Sequence, residues 1–460
     1  METVKRATRL EELAPNLVLT PLGPEDPRYV NLSQGRGSND LSRMEVCLQD
    51  FSAGSERYAH IAFTGHRGSG KSTELYRLEQ RLKQQFFPVH LTLDATLIQD
   101  CDYTFLMLWL VDVVARDLHA KDIPLDPDLM KRVADWFAEK TVSGSRSTER
   151  EIQLEVASET EGKTSLLIAS FRLMARLRSR ILGSIEEREE ARRRLQRYAD
   201  ELIDRVNEFL THAATQLKDH GYPLDILVVQ DNLDRLEPET AKTLFFTNGD
   251  FLRRLKVHTI YTVPVAMLLT PWNIGSAFPA HFGLPVVKVR TQKGGRTKAG
   301  MAALREFLAA RMEIESIFSN QRTVNRLLEM SGGSVRDLLR LINQAQLAAR
   351  VDGKTMIDFT SAQEAIKKLR LDFEKILIPS GIYYPLLAKI HQTKRDRGLD
   401  ENSGSEAIAQ TRQFFAELCF NGSVLEYNGD ESWFDVHPIV QEIRHFQEIL
   451  KKHGQGKATG

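Results

Sequence analysis

The chain has 460 residues, of which 42% are apolar and 27% charged, a globular mixture large enough for about two to four domains and unlike a disordered or low-complexity chain. Lys plus Arg equals Asp plus Glu at 62 each, so net charge gives no whole-molecule case for nucleic-acid binding. The three cysteines, Cys47, Cys101 and Cys419, lie far apart without a CxxC; this argues against a zinc site or a disulfide framework and suits a reducing, cytoplasmic setting.

Residues Met1 to Leu19 mix Glu, Lys and Arg with apolar side chains, which makes a poor signal peptide. Pro15, Pro21, Pro24, Pro27 and Gly35-Arg36-Gly37 then mark an irregular lead-in, followed by a short helix through Leu41, Met44 and Leu48. Tyr58 to Thr64 reads as an apolar strand that ends in a glycine-rich turn. The helix after it has Leu75, Leu78 and Leu82 on one face. A second strand is expected over Phe87 to Asp94 and an apolar helix from Tyr103 to Leu118, and this alternation points to a parallel sheet with helices on its faces.

Residues 120–220 break the pattern and read as a helical insertion. It contains an amphipathic run through Leu195, Tyr198, Leu202, Val206, Phe209 and Ala213. Strands resume at Leu224 to Gln230, Thr259 to Val263 and Pro285 to Val289, with a helix over Leu244 to Leu255. Past Gly294-Gly295 four helices are expected, near 297–314, 321–330, 334–350 and 361–370. Two more helices and a hairpin follow, its strands flanking the Asn428-Gly429-Asp430 turn. The longest apolar runs, Phe105 to Val114 and Ile260 to Leu269, are too short to cross a bilayer, so no membrane association is expected. The domain plan is a lead-in (1–50), an α/β core with its insertion (51–293), a helical lid (294–372) and a winged-helix-like end (373–460).

Gly65-His66-Arg67-Gly68-Ser69-Gly70-Lys71-Ser72 matches G-x-x-x-x-G-K-[ST] between an apolar strand and an amphipathic helix, where such a loop must lie. ATP or ADP presents a chain of anionic oxygens. Gly65, Gly68 and Gly70 let the backbone curl around it and aim N–H groups inward, with Ser69 and Thr73 in the same loop and helix start. Lys71 would reach the β- and γ-phosphates and the Ser72 hydroxyl would bind Mg²⁺. A second Mg²⁺ ligand is expected from Asp231, at the end of the apolar run Ile226 to Gln230 on a neighbouring strand.

With these residues in place, the sequence resembles the AAA+/STAND superclass of P-loop ATPases, over about residues 30–370 without the insertion. The run Asp231-Asn232-Leu233-Asp234-Arg235 looks like the D-D-L-D-R Walker B variant of KAP and STAND-like groups, with Asn232 in place of the second Asp. The resemblance implies a water-polarising Glu at that position; Asn cannot accept a proton, so either Asp234 takes the task or turnover is slow. Thr262 falls near the end of a sensor-1-like strand, as a phosphate contact or as an ordinary strand threonine. Ser331-Gly332-Gly333-Ser334-Val335-Arg336 resembles a sensor-2 helix start, with Arg336 facing the phosphates. Val436-His437-Pro438 resembles the V-H-P segment of STAND proteins, where the resemblance implies either that His437 approaches the nucleotide or that it is a plain wing histidine. No Arg lies between Pro264 and Pro285, so an intersubunit arginine finger and a ring are not supported; Arg253 and Arg254 are weak substitutes.

Residues 171–197 contain nine Arg against four Glu, which reads either as a nucleic-acid contact or as a solvated helix face with Glu190–Arg194 spacing. The expectation is an ATP-dependent switch with slow turnover and a protein partner, of the kind found in bacterial signalling or defence. The alternative is a DNA-associated AAA+ ATPase of loader or initiator type.

Overall fold

The computed structural model describes residues 5–51, 57–93, 98, 101–141, 163–181, 185–223, 225–268, 274–377, 381–395, 405–427 and 432–455. The expected Asn428-Gly429-Asp430 turn lies outside them. Five strands, β1 (His60–Thr64), β2 (Phe86–Thr92), β3 (Asp225–Asp231), β4 (His258–Val263) and β5 (Ala280–Gly283), pair in parallel in the order β2-β3-β4-β1-β5. The α/β class expected from the alternating pattern is therefore found.

Strand alternation divides the core. Ile61, Phe63, Leu227, Val229 and Ile260 face Leu75, Leu78 and Leu82 of α2 (Lys71–Leu82) and Met44 and Leu48 of α1 (Asp40–Gln49). Ala62, Val89, Leu91, Val228, Tyr261 and Val263 face the opposite layer, which includes α3 (Tyr103–His119), α4 (Pro127–Thr141) and the insertion helix α7 (Ala199–Asp219). The other described insertion helices, α5 (Lys163–Ile181) and α6 (Ile185–Arg197), add Leu173, Met174, Leu177 and Leu195 to that layer. A further core joins α8 (Lys298–Ala309), α9 (Gln321–Met330), α10 (Val335–Val351) and α11 (Phe359–Leu377) to the C-terminal segment. That segment comprises α12 (Tyr383–Thr393), α13 (Ser405–Phe420), the antiparallel hairpin β6 (Val424–Tyr427) and β7 (Trp433–Val436), and α14 (Arg444–Gln455).

Three expectations need correction. Asp231 does not lie on the strand next to the P-loop strand, because β4 runs between β1 and β3. The final strand is Ala280–Gly283 rather than Pro285 to Val289. The latter stretch bonds outside the sheet, Val287 N to Gly333 O at 3.1 Å and Lys288 N to Gly35 O at 2.9 Å, and so joins the lid to the lead-in. The helix expected over Leu244 to Leu255 is broken into Pro238–Lys242, a π-turn Thr243–Thr247 and Gly249–Arg253. Asn248 and Gly249, both weak helix formers, fall at that break.

Candidate nucleotide-binding site

The P-loop leaves the C-terminal end of β1 and enters α2 through two glycines with left-handed backbone, Gly68 (φ 86°) and Gly70 (φ 100°). At Gly68 a side chain is doubly excluded, since its Cβ would lie 2.6 Å from Arg336 Cβ. That close approach seats the first turn of α10 on the loop, where Arg336 N donates to Gly68 O at 3.3 Å. Ser334 caps this helix by accepting from Asp337 N at 3.3 Å. Its preceding turn touches the extended 285–289 segment so closely that a Cβ on Gly333 would overlap the Val287 carbonyl.

Together the P-loop, the lead-in, the end of β3, α8 and α10 line a cleft that is open to solvent. Gly68, Gly70, Lys71, Ser72, Thr73, Asp234 and Arg336 line it as the sequence suggests. Among the described residues the cations on its wall are Lys71, Arg28, Arg36, Arg67, Arg235, Arg311 and Arg336, and the acids are Glu74 and Asp234. In a chain of zero net charge, this concentrates positive potential where polyphosphate oxygens would sit. The same wall carries the apolar side chains Leu19, Leu22, Val30, Leu32, Phe307 and Leu339, which offer a surface for a base.

Several of these cations are fixed before any ligand contact. Arg36 is 2% exposed; it donates to Glu74 at 3.1 Å and to the Ser69 carbonyl at 2.6 Å, so it holds the P-loop backbone from behind. Burial pulls its guanidinium below the usual range, and the Glu74 charge opposes this. Arg311 donates to the Arg28 and Phe307 carbonyls at 2.8 Å each. Burial brings its pKa down to about 10. Burial also lowers Arg336, with Arg235 adding repulsion. Among the described residues no carboxylate forms an ion pair with Arg235 or Arg336.

Lys71 is buried. Its ammonium lies 2.8 Å from Asp234 Oδ2 and donates to the Gly65 and His66 carbonyls at 2.7 and 2.9 Å. Asp234 is thus placed as the counter-ion of the P-loop lysine. Asp231 is buried at the end of β3, just behind the cleft wall, and its Oδ1 accepts from Asn232 N at 2.7 Å. Asn232 adopts φ 68° and donates from Nδ2 to Leu93 O at 3.1 Å. A left-handed residue with a short amide fastened to the end of β2 accounts for Asn here, where a Glu would be strained. The hydroxyl of Ser72 and the carboxylate of Asp231 are hard oxygen donors of the kind Mg²⁺ takes. Among the described residues no cluster of three or more His, Cys, Asp or Glu could hold a metal by itself.

Two expected contacts are placed elsewhere. Thr262 is fully buried between β1 and β3 and spends its hydroxyl on Gln230 O at 3.2 Å, inside the sheet. His437 does not reach the cleft: its Nδ1 accepts from Ile439 N at 3.2 Å, its ring packs 4.9 Å from Phe373, and Nε2 lies 3.8 Å from Asp337 of α10. Burial lowers it to about 4. Gly65 and Ser69 shape the loop without lining the cleft, and Thr73 accepts from Leu22 N at 3.1 Å while doing so.

Sequence reasoning missed the histidine that reaches the C-terminal segment from the P-loop. His66 Nε2 accepts from Glu426 N of β6 at 2.7 Å, which requires the neutral ring, and burial holds its pKa down at about 3. Beside it Arg67 lies 5.2 Å from the Phe420 ring centroid. Tyr427 donates to Gly332 O at 2.8 Å and stacks on Trp433, both rings buried. The insertion arginines turn inward or pair locally. Arg178 lies 3.5 Å from Asp112 and covers Trp109, Arg192 lies 3.5 Å from Asp102, and Arg194 pairs with Glu190 at 3.1 Å. Arg253 donates to Ala277 O and Arg254 to Asp200, each at 2.7 Å.

No helix among the described residues is long and apolar enough to cross a membrane. Residues 52–263 match the family model described as the KAP family P-loop domain. No curated protein matches the sequence. Among solved structures the chain is similar to Cdc6p from Pyrobaculum aerophilum, at 12% identity over 92% of this chain and 99% of that one with a TM-score of 0.37. It is similar also to the Aeropyrum pernix ORC2 protein in ADPNP–ADP complexes, at 10% identity over 97% and 99% with a TM-score of 0.42. A Walker-type ATPase of Pyrococcus abyssi gives 12% identity over 95% and 99% with a TM-score of 0.43. Likenesses this loose say nothing of what the present chain binds or assembles with. With the loop, the cationic cleft and the parallel sheet in place, the chain has the α/β fold of a P-loop NTPase, and residues 52–263 are similar to the KAP family P-loop domain.

Proposed function

We propose that this chain is an AAA+/STAND-like ATP switch, in which nucleotide at the P-loop sets whether the C-terminal segment stays docked. One observation carries the reading: the two variable P-loop positions that follow Gly65, His66 and Arg67, touch the C-terminal segment directly. A γ-phosphate competes for the ammonium that Lys71 gives to Asp234 and to the Gly65 and His66 carbonyls. Drawing Lys71 forward shifts those carbonyls and loosens the His66–Glu426 bond. The lid transmits the same change, because the turn that Tyr427 grips at Gly332 leads into the helix bearing Arg336.

In this reading Ser72 and Asp231 would hold Mg²⁺, which would supply positive charge to the phosphate oxygens. Asn232 leaves no glutamate beside Asp231, and Asp234 is tied to Lys71, so turnover is slow and nucleotide is retained. Docking a winged-helix-like module on the ATPase core, rather than on DNA, agrees with the burial of Tyr427 and Trp433 and with the paired arginines of the insertion. The occupant of the released surface is a protein partner in the cytoplasm. The test is the bound nucleotide and size of purified wild type against Lys71→Ala. Retained ADP in a wild-type monomer, lost in the variant, agrees with a switch; fast steady-state hydrolysis, or salt-sensitive DNA binding, opposes it.

A further inference from the structure

Behind the cleft wall lies a group of polar side chains that the nucleotide contacts do not use. Ser72, Tyr76 and Glu79 follow one another at i, i+4 and i+7 on α2, and so form a stripe that starts at the expected metal-binding hydroxyl. Across from it stands His90 of β2, one face-sharing position before Thr92, which pairs with Asp231 in the β2–β3 register. His90 Nδ1 and Glu79 Oε1 are 2.5 Å apart, and both side chains are largely buried. The Tyr76 ring lies against the imidazole at 4.4 Å, tilted by 31°. His90 Nε2 then faces Asp231 Oδ2 at 3.9 Å, is buried, and has no hydrogen-bond partner among the described residues.

We propose that Glu79 and His90 form a positioning pair for Asp231. Glu79 fixes the plane of the imidazole through Nδ1, and the ring edge, 3.9 Å from Oδ2, limits rotation of the Asp231 carboxylate by packing from behind. Asn232 N already holds Oδ1. The carboxylate is thereby kept in the one orientation that serves a cation near Ser72. Metal-ligating groups are commonly oriented this way by an outer layer, whose loss typically costs about 10- to 100-fold in metal affinity. A merely structural network would act differently, since it would weaken the fold and nucleotide binding together.

The inference rests on Asp231 as the Mg²⁺ ligand, and the test separates the two. In the full-length chain, ADP binding is measured by calorimetry across an Mg²⁺ titration and again in EDTA, for wild type, His90→Ala, Glu79→Gln and Asp231→Ala. The near-isosteric Glu79→Gln keeps the test valid should His90→Ala fail to fold. We expect His90→Ala and Glu79→Gln to raise the Mg²⁺ concentration for half-maximal tightening by about 10-fold, with ADP affinity in EDTA unchanged. The double variant should be no worse than the worse single one, because the pair acts as a unit. Equal losses with and without Mg²⁺, or no change in either, overturn the positioning role while leaving Asp231 in place. An Mg²⁺ dependence unchanged in Asp231→Ala removes the ligand itself, and the proposal with it.

Discussion

The P-loop is clasped from two sides, and the two clasps are built from different chemistry. On one side the lead-in holds it through a buried ion pair, Arg36–Glu74, a carbonyl contact to Ser69, and a Tyr29 hydroxyl donating to Glu74 at 3.1 Å. On the other, the C-terminal segment holds it through one neutral hydrogen bond, from Glu426 N of β6 to His66 Nε2, and a cation–π contact of Arg67 with Phe420 of α13. Separating a buried ion pair strands a charge in low dielectric, whereas a neutral bond of this kind is worth about 1 kcal/mol net. The lead-in is thus fastened as a permanent part of the site, and the C-terminal segment as a part that can leave.

The largest effect expected from this difference is at Arg36. Arg36→Ala leaves Glu74 buried without its partner and should lower stability by about 3–5 kcal/mol. Denaturant melts measure it; a loss under 1 kcal/mol would place the two clasps on the same footing. Between pH 7 and pH 5, above the carboxylate range, acid should act on the other side. His66 and His437 are held at about 3 and 4 against an ordinary value of 6.5, whereas residues 5–36 of the lead-in contain no histidine. A folded-state pKa below the unfolded one means that the stabilisation is complete above pH 6.5 and is lost as the pH falls from there toward about 3–4. Each of these histidines then weakens the C-terminal contact by up to about 1.4 kcal/mol per pH unit in that window. Limited proteolysis at pH 7 and pH 5 should show cuts around the C-terminal segment at the lower pH, with the lead-in still protected. Equal susceptibility at both pH values would contradict the assignment. The smallest effect is Tyr427→Phe, which removes the donor to Gly332 and should cost about 0.5–1.5 kcal/mol of docking. A melt of the C-terminal segment that precedes the main transition would report it; an unchanged single transition would argue against independent docking.

The parts of the molecule legible in the sequence are those in which chemistry is packed into a short run. The P-loop residues from Gly65 to Ser72, Asp231 behind an apolar strand, and Ser334 capping the helix of Arg336 each announce themselves within a few positions. What stayed hidden depends on contacts over long separations. Arg36 reaches Glu74 and Ser69, Arg311 comes from the lid, and His66 meets a strand 360 residues away in the chain. An arginine set between Gly35 and Gly37 was the only local hint of the first, and no spacing rule points to the last. Two misplacements have the same origin. The 285–289 stretch has strand composition, but its backbone partners are Gly35 and Gly333, outside the sheet. Thr262 has the right place along β4, but its hydroxyl is satisfied by Gln230 across the sheet, which one strand alone cannot reveal. His437 differs for another reason: the resemblance put it at the nucleotide, whereas it meets Asp337 of α10, and it is His66 of the P-loop that meets β6.

Hydrogen exchange at the Glu426 amide, with and without saturating Mg·ATP, tests the link between nucleotide and C-terminal docking most directly. Faster exchange on adding Mg·ATP to wild type, absent in Lys71→Ala, is the result expected. Protection at that amide that stays the same when wild type is fully occupied by nucleotide would contradict it.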